Sequence, residues 1–198
     1  MHQSSYNKMA KFVEKYLTSK KNENLIIIDI GSMDVNGSYK ALFVNPGWKY
    51  IGIDTNTGRN VDIVIRDPYS WKNFHSDYAD IIISGQSFEH IEYIWLTIKE
   101  ISRVLKPQGL ACIIAPSSGP EHKYPTDCWR IFPDGFKALA NYSGMEIVEI
   151  FTQWNDENYS DNSNIWHDSV LICRKKGKPF SGLDFYFKWL KDLLEKLS

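Results

Sequence analysis

Leu25-Ile26-Ile27-Ile28-Asp29-Ile30-Gly31-Ser32 decides how the rest of the chain is read. The run is apolar almost without interruption, rich in β-branched residues, and closed by a glycine. A strand with one wet face alternates apolar and polar residues; a continuous run marks one covered on both faces, as in a parallel sheet. Moving outward, similar runs stand at Tyr50 to Ile53, Val61 to Ile65, Ala79 to Ser84 and Leu110 to Ala115. Between the last two, Ile91, Ile94, Trp95, Ile98, Ile101 and Leu105 repeat at helical spacing, and Lys106-Pro107-Gln108-Gly109 reads as a stop followed by a turn. Strand, helix and strand in that order make a β-α-β unit.

The flanks complete the pattern. Ser5 to Lys20 places Met9, Phe12, Val13, Tyr16 and Leu17 at helical spacing. Pro133 opens a predicted helix over about 134–142, and Glu146 to Thr152 with His167 to Arg174 are predicted strands able to pair as a hairpin. Residues 153–166 are rich in Asn, Asp and Ser and read as a polar loop, mobile without ligand and placed to act as a lid. Residues 183–197 carry Phe187, Leu190, Leu194 and Leu197 on one face, an amphipathic helix that covers the sheet or makes a homodimer contact. The expectation is one α/β domain over residues 1–198. Its core is a Rossmann-like, mostly parallel seven-stranded sheet with helices on both faces and a C-terminal antiparallel hairpin.

Composition removes several function classes. Lys plus Arg number 23 against 24 Asp plus Glu, a formal net charge of -1, which supplies no broad basic surface for a nucleic-acid backbone. Cys112, Cys128 and Cys173 are odd in number and far apart, as suits a reducing cytoplasm rather than a disulfide scaffold. No run approaches the roughly 20 apolar residues of a membrane helix, and the N-terminal stretch is polar rather than leader-like. His2, His75, His90, His122 and His167 show no ligand spacing, so no metal is expected.

Gly31, directly after the first strand, lets backbone approach a ligand. Asp54 ends the second strand 23 positions later, placed to take both hydroxyls of a ribose, with Thr55 beside it. Asp67 follows the third strand, where it suits an adenine amino group. The alternative for these acids is a capping or turn-closing role.

Asp29-x-Gly31, Asp54, Asp67, Ala79-Asp80-Ile-Ile-Ile-Ser84-x-x-Ser87-x-Glu89-His90 and Glu100-Ile-Ser-Arg103-Val-Leu-Lys-Pro107-x-Gly109 together resemble the class I methyltransferases, over roughly Leu25 to Ala115. The family's first loop usually has further glycines; here Met33 and Val35 stand in those places. The resemblance implies S-adenosylmethionine as cofactor. Asp29, Gly31 and Ser32 would face its amino-acid part, Asp54 and Thr55 its ribose, and Asp67 its adenine. Ser84, Gln86 and Ser87 would line the methyl-donor cleft. Glu89-His90 invites a catalytic reading, but in this family the pair often opens the helix after strand four, which gives it a structural or positioning role; His90 stays a candidate for the pocket that binds substrate.

Residues 116–135 form a proline-stiffened loop at the same sheet edge and read as an acceptor loop. His122-x-x-Pro125-x-Asp127-x-Trp129-Arg130-x-x-Pro133-x-Gly135 resembles a subgroup of small methyltransferases of bacterial surface-polysaccharide synthesis. That resemblance implies a sugar hydroxyl, or a phosphate or phosphoramidate oxygen, of a capsule-type glycan precursor as acceptor; a small metabolite is the other option. His122 is the candidate catalytic base, with Asp127 orienting it. Arg130 is the candidate catalytic anion clamp, and Tyr124 and Trp129 are candidate substrate contacts. Equally open is that Asp127 and Arg130 pair to fix the loop and that Trp129 is core. A nicotinamide-dependent oxidoreductase is the rival enzyme class, weakened by the missing Gly-x-Gly-x-x-Gly. An inactive cofactor-binding scaffold is the rival outside enzymes.

Overall fold

The computed structural model describes residues 2–155 and 159–177. The helix expected at 183–197, with its dimer contact, lies outside them. Seven strands form one sheet: β1 (Leu25–Ile30), β2 (Trp48–Asp54), β3 (Ile63–Val64), β4 (Ala79–Gly85), β5 (Leu105–Ala115), β6 (Glu146–Thr152) and β7 (Ser169–Arg174), in the order β3-β2-β1-β4-β5-β7-β6. The neighbours among the first five are parallel, and β7 runs antiparallel to both β5 and β6. The expected hairpin is therefore present, with its second strand inserted between β5 and β6.

The continuous apolar runs are explained by what covers them. In β1, Leu25 and Ile27 pack with Met9, Phe12 and Leu17 of helix α1 (Gln3–Leu17). Ile28 and Ile30 face the other way, toward Ile98 and Ile101 of α2 (Ile94–Val104) and Phe136 of α3 (Pro133–Ser143). Successive side chains point to opposite faces, so a strand buried on both must be apolar throughout.

Two differences from the sequence reading have local causes. The Lys106–Gly109 stretch is not a turn ahead of β5 but part of it, carried in a register shift against β4. Lys106 Nζ grips both carboxylate oxygens of Asp80 at 2.8 and 2.9 Å, and the Gln108 amide donates to the Lys175 carbonyl, so sheet contacts hold the stretch. The 153–166 stretch, expected as irregular loop, contains a 3-10 turn at Ser163–Trp166, and its described part is tied to the start of α1. The Ser4 amide donates to Ser163 Oγ at 3.0 Å and the Gln3 amide to Asp161 Oδ2 at 2.7 Å.

No helix of the described residues is long and apolar enough to cross a membrane. From β1 the chain winds one way to β2 and β3, and from β4 the other way to β5. Such a switch point opens a crevice at the carboxyl ends of the two central strands.

Candidate active site

A cavity of about 920 Å³ lies at that crevice, large enough for a nucleoside-sized ligand together with a small acceptor. Gly31 begins its floor. It sits at φ +70, and a Cβ there would fall 1.7 Å from Ser87 Oγ and 2.8 Å from Ser87 Cβ, so the loops after β1 and β4 meet only because this residue has no side chain. Ser87 Oγ donates to the Ile30 carbonyl at 3.4 Å, and Ser32 Oγ to the Asn60 carbonyl at 3.0 Å.

Asp54 ends β2 on the cavity wall. Its Oδ1 accepts the Asn56 amide at 3.0 Å and the Thr55 hydroxyl at 3.5 Å, and its Oδ2 the Met33 amide at 3.4 Å, which leaves Oδ2 a lone pair for a ligand. Thr55 lines the cavity beside it. Asp29 also borders the cavity but is buried, and the Tyr50 hydroxyl donates to its Oδ2. Burial pushes its carboxyl up to about 7, with the Tyr50 hydrogen bond opposing and the Asp54 charge adding to the rise.

Asp67 is not on this wall: it is exposed, and its Oδ1 closes the turn by accepting the Tyr69 amide at 2.9 Å. Ile65, Pro68, Tyr69 and Trp71 stand in the cavity instead, a largely apolar surface suited to a flat ring. Ser84 is fully buried within β4, its hydroxyl turned to the Ile30 carbonyl at 3.2 Å. Gln86 does line the cavity, joined to His2 Nε2 at 3.0 Å and to Asp168 Oδ1 at 3.0 Å.

The other end of the cavity holds the acceptor loop. The loop is stitched to the 3-10 turn after β4 (Phe88–His90): the Cys128 amide donates to the Glu89 carbonyl at 2.7 Å, Thr126 Oγ to the His90 carbonyl at 2.9 Å, and Trp129 Nε1 to the Ile91 carbonyl at 2.9 Å. This brings His122 against His90, ring centres 5.0 Å apart, and against Trp166 at 4.8 Å. His90, His122 and Tyr124 all line the cavity. Burial holds the His90 imidazole below its ordinary value.

Asp127, Arg130 and Trp129 stand behind that wall rather than on it. Arg130 grips both oxygens of Asp127, at 2.6 and 2.8 Å, and spends further donors on the Trp129 and Pro120 carbonyls at 2.9 and 2.7 Å. Its hydrogen-bonded hold keeps the Asp127 carboxyl well below the usual carboxylate range. Asp127 Oδ2 accepts the His122 amide at 2.7 Å and lies 3.4 Å from its Nδ1. The arrangement places Asp127 to hold His122, and it leaves Arg130 no free fork for an anion. Trp129 packs edge-on against Trp95.

Glu89, His2 and Trp166 also line the cavity; the sequence singled out Glu89 only together with His90, as a catalytic or structural pair, and passed over the other two. Glu89 is buried on the cavity side, and burial pushes its carboxyl up to about 8. His2, at the start of α1, stacks on Trp166 at 5.9 Å.

Residues 28–113, from β1 into β5, match a family model described as methyltransferase domain. Over that stretch the chain is similar to methyltransferase domains. The chain is also similar to a curated protein, the chloroplastic 2-methyl-6-phytyl-1,4-hydroquinone methyltransferase of Spinacia oleracea, 24% identical over an alignment covering 81% of this chain and 50% of the relative. The chain thus spans about half the length of that relative. Among solved structures, the fold resembles that of the 1,6-didemethyltoxoflavin-N1-methyltransferase of Burkholderia thailandensis, solved with 1,6-didemethyltoxoflavin and S-adenosylhomocysteine (TM-score 0.65, 14% identity, 87% of this chain and 78% of that one). It also resembles a methyltransferase of Archaeoglobus fulgidus (TM-score 0.61, 20% identity, 86% and 95%). A cyclase shares the fold as well (TM-score 0.66, 13% identity, 86% and 81%), so the architecture alone does not fix the chemistry.

Proposed function

We propose that the domain transfers a methyl group from S-adenosylmethionine to an oxygen of a small acceptor, a sugar hydroxyl of a surface-glycan precursor being the reading its acceptor loop favours. The observation that carries this is one continuous cavity with a strand-end carboxylate and a side-chain-free loop at one end and a pair of histidines at the other. Asp54 would hold the ribose, Gly31 and Ser32 the backbone-lined side of the cofactor, and Ile65, Pro68 and Trp71 its adenine. The bound cofactor supplies an electrophilic methyl group on a sulfonium.

A neutral hydroxyl must lose its proton as the methyl arrives, whereas a phosphate or phosphoramidate oxygen is already anionic and needs a cation beside it. Arg130 is committed to Asp127 and two carbonyls, which favours the hydroxyl. His122, held by Asp127, is the group that activates it, and Asp127 and Arg130 are positioning residues. His90 and Tyr124 flank the acceptor. The three free cysteines suit a reducing compartment, the cytoplasm in this reading.

Calorimetry with S-adenosylhomocysteine tests the assignment. Asp54→Ala removes a charged hydrogen-bond partner, so affinity falls about ten- to a hundredfold while the melting temperature stays close to that of the parent. Unchanged affinity, or stabilisation by a reduced nicotinamide instead, rejects the reading.

A further inference from the structure

Glu89 is fully buried, yet among the described residues neither of its carboxylate oxygens has a hydrogen-bond partner. A buried carboxylate without partners is costly, and such groups are held in folded proteins when a proton, a cation or a ligand satisfies them. Two imidazoles converge on it. His90 Nε2 lies 3.7 Å from Glu89 Oε1, and one ligand atom from each of Glu89, His90 and His122 falls within 4.8 Å of the other two. The tautomer of His90 is set by its surroundings: Nδ1 lies 2.5 Å from the Thr126 carbonyl, which can only accept, so Nδ1 carries the hydrogen and Nε2 presents a lone pair. Behind His122 stands Asp127, a residue already fixed by Arg130; its Oδ2 accepts the His122 amide and lies 3.4 Å from Nδ1, which itself has no hydrogen-bond partner among the described residues. An imidazole backed by a carbonyl or carboxylate is how proteins orient metal-binding histidines.

We propose that Glu89, His90 and His122 form a binding site for one first-row divalent cation of the zinc type, at the acceptor end of the cavity. Two imidazoles and one carboxylate suit such ions and not magnesium or calcium, which prefer oxygen alone. Zinc–ligand bonds of about 2.0–2.2 Å ask the three groups to draw together by roughly an ångström. All three residues line the cavity, so the ion keeps a coordination position open to what enters it. The consequence for catalysis rests on the methyl-transfer reading, although the binding itself does not: the acceptor hydroxyl would become a further ligand, its pKa would fall, and its proton would pass to water. His122 would then activate the acceptor through the ion.

The test uses the full chain, treated with chelator, desalted and titrated with zinc chloride by calorimetry. One equivalent should bind, and magnesium should not compete. Glu89→Gln, which keeps the shape of the buried side chain, and His122→Asn should each weaken zinc by about a hundredfold or more, ligand loss costing at least what loss of an outer partner does. Cys128→Ser should leave it unchanged, since Cys128 is an exposed thiol apart from the cluster. Cobalt(II) should give visible bands without a thiolate charge-transfer band. Circular dichroism confirms folding of each variant; if Glu89→Gln does not fold, the partly exposed His122 decides alone. Absence of stoichiometric binding, binding insensitive to a folded cluster variant, or a cobalt–thiolate band overturns the proposal. S-adenosylhomocysteine titrated into the same samples separates the two ideas: cofactor binding without zinc binding removes the cation site and leaves the methyl-transfer reading, and the reverse result does the opposite.

Discussion

The end of the cavity assigned to the cofactor is built from residues that leave their strands within a few positions, Gly31 after β1, Asp54 at the close of β2 and Ser87 after β4. The end assigned to the acceptor gathers His2, Glu89, His122 and Trp166 from four separate places in the chain. The first end is a property of the sheet edge, which any sequence folding this way must present. The second depends on a loop stitched to a turn and on the start of α1 closing over both.

The sharpest way to break this comparison is at Gly31. An alanine there combines a left-handed backbone with a Cβ overlapping Ser87, and the strain of such a residue alone costs on the order of 1–3 kcal/mol. Gly31→Ala should lower stability by at least that much and reduce cofactor affinity by more than Asp54→Ala does. Because both overlapping atoms belong to the Ser87 side chain, Gly31→Ala with Ser87→Gly should recover part of the stability. A double variant no better than the single one would show that the loop itself, and not the meeting with Ser87, sets the constraint.

The same contrast governs what was legible in the sequence. Strand identity and the β6–β7 hairpin followed from apolar runs and their period, because burial on both faces leaves no freedom of residue type. That Gly31 and Asp54 line one cavity followed from their distance along the chain, since strand ends of a parallel sheet share one edge. Asp67 did not, because being near a strand end does not decide whether a side chain turns to the crevice or closes its own turn. Lys106 to Gly109 looked like a turn because proline and glycine punctuate locally, whereas Asp80 and Lys175 hold the stretch in the sheet through contacts distant in sequence. His2 and Trp166 offered one weak signal only, a histidine and an indole set among polar residues.

A further effect at the cofactor end is read by pH, in a window that overlaps the one of Glu89 at the other end, whose carboxyl burial also raises. In the unfolded chain Asp29 has the ordinary value of 3.8, and in the folded one about 7, for which burial is the chief cause. Between those values the folded protein keeps a proton that the unfolded chain has released, so this group's contribution to stability falls as pH rises through about 4 to 7 and levels off above. The slope from one such group is at most about 1.4 kcal/mol per pH unit. Asp29→Asn keeps an acceptor for the Tyr50 hydroxyl and should flatten the profile of urea midpoint against pH in that window. An unaltered profile would mean that Asp29 is ionised in the folded protein.

The smallest expected effect lies at Arg130 and decides between acceptors. Its guanidinium makes two bonds to Asp127 and one each to the Trp129 and Pro120 carbonyls. Arg130→Lys can keep an ion pair with Asp127 but not the fork and both carbonyls, so a loss of about 1 kcal/mol in stability is expected, the ordinary worth of a hydrogen bond. If the acceptor is a hydroxyl activated at His122, turnover should change by less than about tenfold in this variant, against about a hundredfold or more in His122→Ala, the scale of a lost proton-transfer group. The order reverses if a phosphate or phosphoramidate oxygen is the acceptor, because the guanidinium must then leave Asp127 and grip the anion, which a lysine does as a point charge without the fork. Single-turnover rates for the two variants at saturating cofactor separate these outcomes, since neither residue borders the cofactor end and a change in rate then reports the acceptor end alone. Near-parental rates in both would place acceptor activation away from this loop, leaving the strand-edge half of the site intact.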